Sequence, residues 1–299
     1  MQPELGCRRI TPLSPAIAGC LLKSMNYKQE ISDATANVPK SLFKYLSPNR
    51  ANDLQRDEVG FSPPNRFNDA FDVRPKVLPI TDPDFLNVGA KNAWKQFLNS
   101  VPEREKAAFR RRTGEMQHGA VEYFQSIASD FAAEQQATLQ DEISKHFTIF
   151  CLSESNDEDK MWGLYAESHK GFVIEYDSSH PAFMALGQPE KVAYREEDPV
   201  YDPVRGAQGF WKVKKQKWSY EREWRISRRL NSCRRLLVKG TTVYLVPLPR
   251  AAIRAVYLGI RIAAATESNI NAALMGMQIP VLRATIPRGS SKIAFEPRK

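Results

Sequence analysis

Short apolar runs are spaced along the chain after residue 40, and their patterns predict β-strands. Ser41–Leu46 and Gly171–Asp177 show the period-two alternation of a strand, and Phe147–Ser153 is continuously apolar, as a buried strand is. Similar but shorter patterns predict strands at Val59–Ser62, Lys191–Tyr194, Leu236–Val238, Thr242–Leu248, Ile253–Leu258, Val281–Ile286 and Lys292–Phe295. We therefore expect a mostly antiparallel sheet.

Helical periodicity is confined to two parts of the chain. Apolar residues recur at helical spacing within residues 91–146 and again in Ala263–Met275, where Gly276 marks the end. Residues 1–40 are rich in Pro, Ser and Asn and lack steady periodicity, so they predict a variable N-terminal arm. The prediction is one α+β domain over residues 41–299, with a helical insertion at about 91–146 on one side of the sheet.

The aromatic and β-branched residues of Lys214–Arg229 predict one long strand. Alternation would place Glu221, Glu223 and Arg225 on one face and Trp224 on the other. Two carboxylates on one strand face could line a cleft, where they would hold a sugar hydroxyl or stabilise a developing cation. Alternatively, this face is solvated and its Glu and Arg side chains merely pair with each other.

A polar loop and an aromatic turn are further candidates for a pocket. The loop PPNRFNDAFD contains the turn formers Asn68 and Asp69, with Phe67 and Phe71 expected to anchor it on the core. A helical turn at Met161–Glu167 would place Trp162 and Tyr165 together, either as a stacking surface for a base or nicotinamide ring or as ordinary core. The nearby His169 could reach a phosphate, or it is an ordinary loop histidine.

Charge and cysteine content narrow the function classes. The chain has 299 residues and a net charge of +9, and Arg205–Lys239 has twelve Lys or Arg against two Glu, which gives +10. Such a segment favours a polyanionic partner such as a nucleotide diphosphate, RNA or DNA, or it simply keeps the surface soluble. The four cysteines lack metal-ligand spacing, so no metal is expected. No membrane span or signal peptide is apparent, which predicts a cytoplasmic protein.

Five blocks occur in an order that resembles a known bacterial family. They are FKYLS, FSPPNRFNDAFD, FCLSES, MWGLYAESHKGFVIEYD and KKQKWSYEREWRI, between about Phe43 and Ile226. This order is similar to the family called domain of unknown function 2971, with Ala70 standing where that family has Pro. The block order is also similar to the ADP-ribosyltransferase fold, which implies a split sheet and NAD as a substrate.

The resemblance to ADP-ribosyltransferases implies residue roles. The His or Arg on the first strand of that fold corresponds to Lys44 or Tyr45 in this chain, and Lys44 would be a departure from the usual residue types. The Glu on a late strand of that fold corresponds to Glu221 or Glu223. Glu223 would hold the ribose 2′-hydroxyl and stabilise the oxocarbenium-like cation, and Glu221 would orient or deprotonate an acceptor. The implied NAD-binding residues are Lys44, Tyr45, Asn68, Asp69, Trp162, Tyr165, His169, Lys214, Lys215, Tyr220 and Arg225.

These resemblances imply a transferase of the glycosyltransferase class or an NAD glycohydrolase, acting in phage defence or as a toxin on nucleic acid or protein. A competing hypothesis is a non-catalytic module that binds nucleic acid or a partner through residues 205–239. In it, Glu221 and Glu223 only pair with Arg222 and Arg225. A metal-dependent nuclease is a third class, and no cluster at metal-ligand spacing supports it. The sequence leaves the acceptor and the oligomeric state open.

Overall fold

The computed structural model describes the following residues: 38–79, 103, 132–202, 209–238 and 240–297. Most of the predicted N-terminal arm and most of the predicted helical insertion therefore lie outside the described residues. Two compact units are present, and the larger comprises, among the described residues, 38–73, 140–198, 211–238 and 240–297. The described residues of the smaller unit are 74–79, 103, 132–139, 199–202 and 209–210.

The structure is mixed α+β with a mostly antiparallel main sheet. In chain order the strands are β1 (Ser41–Leu46), β2 (Glu58–Phe61), β3 (Lys76–Val77), β4 (Phe147–Ser153), β5 (Phe172–Asp177), β6 (Glu190–Lys191), β7 (Ala193–Arg195), β8 (Val200–Tyr201), β9 (Val213–Lys215), β10 (Glu223–Arg229), β11 (Arg234–Val238), β12 (Thr241–Pro247), β13 (Ile253–Leu258), β14 (Val281–Thr285) and β15 (Ala294–Pro297). The main sheet has the order β15-β14-β13-β5-β1-β4-β10-β6, and only β13 and β14 run parallel in it. A second sheet has the order β11-β12-β2, and β7 pairs with β9.

Helices are short in the described part of the chain. Residues 132–144 are helical and lead towards β4. The remaining α-helices are α1 (Asp159–Leu164), α2 (Pro181–Met184) and α3 (Ala264–Ala273), and 3₁₀ helices span Pro48–Gln55, Pro64–Arg66, Phe210–Lys212, Gln216–Glu221, Leu230–Ser232 and Arg250–Ala252. None of the helices described here is long and apolar enough to cross a membrane.

The centre of the main sheet has an interrupted hydrogen-bond ladder. β1 pairs with β5, and β4 with β10, along their whole lengths, whereas β1 and β4 pair only at Phe43 and Ser153. Further along the edge of β4 that faces β1, the backbone of Ile149 pairs with Ser62 instead. The two residues exchange backbone hydrogen bonds of 2.9 and 2.8 Å. The two halves of the main sheet are therefore joined at one residue pair.

The Lys44 side chain occupies the interrupted ladder. Its Nζ donates a 2.7 Å hydrogen bond to the backbone carbonyl of Cys151 and lies 5.1 Å from the ring centroid of Phe150. A buried carbonyl without a partner is costly, so the lysine replaces the bond that a longer β1–β4 ladder would supply. A charged group is thereby fixed between the two halves of the sheet.

The two faces of the main sheet carry different apolar clusters, as strand alternation requires. Leu42, Phe150, Ile174 and Ile226 belong to the larger cluster, which also includes residues of β2, β12 and α3. Tyr45, Trp162 and Val173 belong to the smaller cluster on the opposite face. The candidate site described below lies on the face of the smaller cluster.

The smaller unit contributes few described residues. Its β3 and β8 pair in parallel, with Lys76 opposite Val200 and Val77 opposite Tyr201. The Tyr201 ring packs edge-on against Phe210, with 5.9 Å between the ring centroids. Residues 132–139, which are helical, belong to the same unit.

The predicted long strand at Lys214–Arg229 is wrong. β9 ends at Lys215, Gln216–Glu221 forms a 3₁₀ helix, and β10 begins only at Glu223. Between them Arg222 adopts the left-handed conformation, with φ 43° and ψ 51°. The aromatic composition that favoured a strand instead supports a compact turn, in which Trp218 packs on Tyr220 with ring centroids 5.9 Å apart.

Candidate functional site

A cavity of about 290 Å³ lies beside the interrupted ladder between β1 and β4. Strand alternation directs Phe43 and Tyr45 of β1 and Cys151 of β4 into it. Its walls also come from the polar loop, α1 and the turn before β10. The polar residues that line it are Lys44, Tyr45, Ser62, Arg66, Asn68, Asp72, Cys151, Ser153, Tyr165, Lys214, Glu221 and Glu223.

A buried lysine holds three carboxylates together in the wall of this cavity. The Lys214 Nζ lies 2.6 Å from Glu221 Oε2, 3.4 Å from Glu223 Oε2 and 3.3 Å from Asp72 Oδ2. Burial lowers the pKa of Lys214, but the three carboxylates outweigh that effect, so the net direction is upward. The ammonium group therefore stays charged, since a buried cation is tolerated when it is paired and hydrogen-bonded.

Arg225 completes the cluster from β10. Its Nη1 and Nη2 lie 2.9 and 2.6 Å from the two Asp72 carboxylate oxygens, and its Nε and Nη2 each lie 2.8 Å from a Glu223 oxygen. The guanidinium also donates a 2.6 Å hydrogen bond to the Trp211 carbonyl. Its side chain is 1% exposed. Arg225 is therefore saturated by protein groups.

The two glutamates experience opposite electrostatic effects. Burial raises the pKa of the Glu221 carboxyl, Lys214 opposes this shift without reversing it, and Glu223 reinforces it. Burial also acts to raise the pKa of Glu223, but Arg225 and Lys214 outweigh this effect and lower that pKa to about 2. One glutamate stays ionised while its neighbour can exchange a proton.

Two tyrosines form hydrogen bonds with the acidic pair, one at a side chain and one at the backbone. The Tyr165 hydroxyl donates a 2.7 Å hydrogen bond to Glu221 Oε1 and accepts a 3.1 Å bond from the Asn68 side-chain amide. The Tyr194 hydroxyl accepts a 2.7 Å bond from the backbone N–H of Glu223, at the start of β10. Burial raises the pKa of both phenols, so they remain neutral. Each glutamate is therefore held by a fixed partner.

A turn places both glutamates in the same cavity wall. The Ser153 hydroxyl donates a 2.7 Å hydrogen bond to the Glu221 carbonyl, and the Glu154 backbone N–H donates a 3.1 Å bond to the Arg222 carbonyl. These bonds anchor the left-handed residue Arg222 to the end of β4. The predicted grouping of Glu221, Glu223 and Arg225 therefore occurs, although a turn and not a continuous strand produces it. All three side chains are buried, so they do not form a solvated face.

Lys44 borders the cavity from the opposite side. Burial lowers the pKa of its ammonium group, Arg50 lowers it further, and Cys151 and Glu223 act in the other direction. Tyr45 directs its hydroxyl to the Ser155 carbonyl at 2.9 Å. Both of the alternatives predicted for the first strand thus line the cavity, and the Lys44 ammonium group interacts electrostatically with Glu223.

Three predicted ligand-binding residues have structural contacts elsewhere. Trp162 is fully buried, and it packs edge-on against Tyr45 and parallel to the His169 ring, which lies 5.9 Å away. His169 Nε2 lies 3.1 Å from Asp159 Oδ1, and the imidazole does not line the cavity. Asp69 accepts a 3.1 Å bond from the backbone of Phe71 and shapes the loop. Trp162 and Asp69 therefore support lining residues from behind.

The polar loop is anchored differently from the prediction. Phe67 lines the cavity and lies 5.6 Å from the Arg225 guanidinium, in a cation–π geometry. Phe71, which was also expected on the core, is 67% exposed. The loop is instead held by Asp72, whose carbonyl accepts a 2.8 Å bond from Gln140 and whose carboxylate binds Arg225. An ion pair takes the place of the second aromatic anchor.

The remaining predicted cations and aromatics already have partners. Lys215 lies 2.7 Å from Asp198, and Tyr220 lies beneath the Lys160 ammonium group. In the described part of the basic segment, five cations pair with carboxylates, and they are Lys212, Lys214, Lys215, Arg225 and Arg234. Carboxylates outside the segment, namely Glu58, Asp72, Glu190 and Asp198, therefore offset part of the charge that suggested a nucleic-acid surface.

Asp72 and Cys151 are cavity residues that the sequence analysis did not identify. Asp72 ends the polar loop and resembles any surface aspartate in sequence, so its burial becomes evident only once Arg225 is placed. Cys151 occupies an inward position of β4, which strand alternation could have indicated. Burial raises the pKa of its thiol, and Glu223 adds to that shift, so the thiol stays protonated.

The carboxylates in the wall of this cavity are paired with protein cations. Throughout residues 38–79, 132–202 and the described C-terminal part, no group of three His, Cys, Asp or Glu side chains is arranged to hold a metal ion. The three carboxylates of the cluster instead have Lys214 and Arg225 as their partners.

Comparison with family models, with curated proteins and with solved structures finds no match to this chain.

Proposed function

We propose that this protein cleaves the N-glycosidic bond of a nucleotide, with NAD as the substrate, and transfers the ADP-ribosyl group to an acceptor or to water. The observation that carries the proposal is the pair Glu221 and Glu223 in one cavity wall, with pKa values displaced in opposite directions. Carboxylates that differ in this way can divide the roles of charge stabilisation and proton transfer.

Glu223 is assigned to the reacting ribose. As nicotinamide leaves with the bonding electron pair, positive charge develops on the ribose, and an ionised carboxylate stabilises it. A pKa of about 2 keeps Glu223 ionised at neutral pH. Its pairing with Arg225 holds the carboxylate in one orientation, which reduces the reorganisation needed during the reaction.

Glu221 is assigned to the acceptor. Its raised pKa makes it a better proton acceptor than an ordinary glutamate, and Tyr165 fixes one of its oxygens. The attacking hydroxyl or water would give its proton to Glu221 as the new bond to ribose forms. Tyr165 and Asn68 would contact the nicotinamide group, with Tyr45 and Trp162 packed together nearby.

The diphosphate needs a cation that is not already neutralised. Lys214 and Arg225 are saturated by carboxylates, so we assign this role to Arg66 and Lys44. Arg66 lines the cavity and is exposed, and its hydrogen bond among the described residues goes to the Thr242 carbonyl. Since no carboxylate in the described part of the chain pairs with Arg66, its exposed guanidinium is suited to bidentate phosphate binding.

The sheet geometry supports the same proposal. The resemblance to the ADP-ribosyltransferase fold implies a sheet that is split near the substrate. The single β1–β4 pair at Phe43 and Ser153 is consistent with such a split, and the cavity lies beside it. The order of the sequence blocks that resembles domain of unknown function 2971 spans the residues that form this cavity.

The proposal is tested by nicotinamide release from NAD, with total RNA, DNA or lysate protein present as acceptor. Glu223→Gln should lower the rate by roughly 100-fold or more, because a positioned carboxylate typically contributes that much. Glu175→Gln is the matched control, since Glu175 lies on β5, bonds Ser41 and Tyr257, and does not line the cavity. Arg66→Gln should raise KM and leave kcat nearly unchanged.

Circular dichroism of each variant separates loss of chemistry from loss of folding. The assay uses NAD that is labelled in its ADP-ribose part. Label found only in free ADP-ribose would identify hydrolysis, and label attached to RNA, DNA or protein would identify transfer. If the wild-type chain releases no nicotinamide, or Glu223→Gln releases it at the wild-type rate, the transferase proposal is wrong.

A further inference from the structure

A second cavity, of about 560 Å³, lies on the opposite face of the main sheet. Residues of β1, β4 and β5 line one side of it, and residues of β2 and β12 line the other. Its floor is apolar and includes Phe150, Ile174, Leu245 and Ile253. Lys44 borders both cavities because it lies in the interrupted ladder.

A buried phenol faces this second cavity. Tyr176 of β5 is 4% exposed, and its ring packs against Phe150 and Phe183 at centroid distances of 6.0 Å. No described residue forms a hydrogen bond with its hydroxyl. Burial raises the pKa of this phenol, Asp53 adds to the shift and Arg50 opposes it, and both of these side chains line the same cavity as Tyr176. The hydroxyl is not one of the fully buried unpartnered polar atoms of the described residues, so it is open to the cavity that Tyr176 lines and can donate a hydrogen bond to a bound molecule there.

The rim of the second cavity carries more positive than negative charge. Arg250 pairs with Asp57, and Glu58, which also lines the cavity, pairs with Arg234 and interacts more weakly with Arg56. Arg50 and Arg56 share the carboxylate of Asp53. One arginine charge is thus not balanced within this group. A negatively charged ligand would relieve the mutual repulsion of these cations.

The backbone of β2 gives Arg50 room to reach the cavity. Gly60 lines the cavity, and a Cβ at this position would lie 3.3 Å from Arg50 Nη2 and 3.8 Å from Val243 Cγ1. The bare glycine therefore lets the guanidinium lie across the strand. A cation, a phenol donor and an apolar floor are brought together at this point.

We propose that the second cavity binds a small amphipathic anion, whose apolar body lies on the floor and whose anionic group contacts Arg50 and Tyr176. A carboxylate or a phosphate meets this description, since both accept charge-assisted hydrogen bonds from arginine and a further bond from a phenol. The cavity volume lies within the usual range for small-molecule sites, which are mostly apolar with a few polar groups. This inference does not depend on NAD cleavage.

The test is a fluorescence titration of the full chain with anilinonaphthalene sulfonate, which joins an aromatic body to one anionic group. Neutral N-phenylnaphthylamine, which lacks the sulfonate, is the matched probe. We expect Arg50→Gln to weaken anilinonaphthalene sulfonate binding about ten-fold and Tyr176→Phe about three-fold, while the neutral probe is affected little. Arg283→Gln makes the same charge change away from the cavity and should leave the affinity unchanged.

Competition by octanoate or by phenyl phosphate then identifies the preferred anionic group. Both test variants should fold, because Arg50 is 44% exposed and Tyr176→Phe removes only an unpartnered hydroxyl. Thermal unfolding checks this. The proposal is overturned if the anionic probe does not bind, if Arg50→Gln and Tyr176→Phe bind it as tightly as the wild type, or if the neutral probe binds with equal affinity.

Discussion

Arg225 and Asp72 are 153 residues apart in the chain and form a doubly hydrogen-bonded ion pair, with both side chains almost completely buried. The pair joins the polar loop to β10 and closes one side of the cavity that holds Glu221 and Glu223. The same guanidinium also fixes Glu223. One buried cation therefore positions both a loop and a candidate catalytic carboxylate.

Removal of the Asp72 charge should destabilise the protein strongly. Asp72→Asn leaves the buried Arg225 with one carboxylate in place of two, and breaking a buried pair from one side typically costs about 3–5 kcal/mol. The free energy of unfolding, from urea titration followed by circular dichroism, measures this loss. In the control Glu142→Gln, the lost partner is Lys145, which is 63% exposed, so the cost should stay below about 1 kcal/mol. Equal losses in the two variants would contradict this account.

Glu223 should stabilise the fold above pH 4.5 and lose that contribution in acid. Its pKa falls from an ordinary value of 4.5 to about 2 on folding, so the unfolded chain takes up the proton first as the pH falls. The contribution is about 3 kcal/mol at neutral pH, and it disappears as the pH falls through 4.5 to 2. Urea titrations from pH 2 to 6 should show wild type and Glu223→Gln converging in acid.

Glu221 should show the opposite pH dependence. Its pKa is raised on folding, mainly by burial, so the folded chain holds the proton more tightly than the unfolded chain. The resulting stabilisation is complete below the ordinary value of 4.5 and is lost as the pH rises through the raised pKa. In the same titrations, wild type should lose stability relative to Glu221→Gln as the pH rises above 4.5. Parallel pH profiles for Glu221→Gln and Glu223→Gln would contradict the division of roles.

The parts of the fold that the sequence predicted are those with a strong local pattern. The strands at Ser41–Leu46 and Phe147–Ser153 have the predicted bounds, because alternation or continuous apolarity fixes which face is buried. The predicted helix at Ala263–Met275 is present as Ala264–Ala273, and Gly276 beyond its end has φ +78°. Local periodicity is sufficient for these elements.

The parts that were not predicted depend on contacts between distant residues. Asp72 carries no local signal of burial, since only Arg225 and Lys214 make a buried carboxylate stable there. The basic segment suggested an exposed charged surface because its partners, such as Glu58 and Glu190, lie outside it. Ion pairs of this kind appear only after the chain has folded.

The left-handed turn at Arg222 is the local feature that the strand prediction missed. Its φ of 43° and ψ of 51° cost a non-glycine residue roughly 1–2 kcal/mol. Arg222→Gly should therefore raise the free energy of unfolding by up to about 1 kcal/mol, with part of the gain offset by the flexibility of glycine in the unfolded chain. Arg222→Val should lower it, because a β-branched residue tolerates this conformation poorly. Comparable melting temperatures for the two variants would show that the turn is not strained.

Two glycines near Trp162 should respond to alanine in opposite ways. A Cβ on Gly171 would lie 2.0 Å from the Leu46 carbonyl oxygen and 3.1 Å from Ala166 backbone atoms, so β1 and β5 would have to separate. Gly171→Ala should lower the free energy of unfolding by more than about 3 kcal/mol, or prevent folding, because the clash is with backbone. Gly163 lies in α1 with no atom within 4 Å of its added Cβ, so Gly163→Ala should stabilise the protein by about 0.5–1 kcal/mol through helix propensity. Thermal unfolding of both variants measures the difference, and a stable Gly171→Ala protein would show that β1 and the start of β5 are not packed as closely as described.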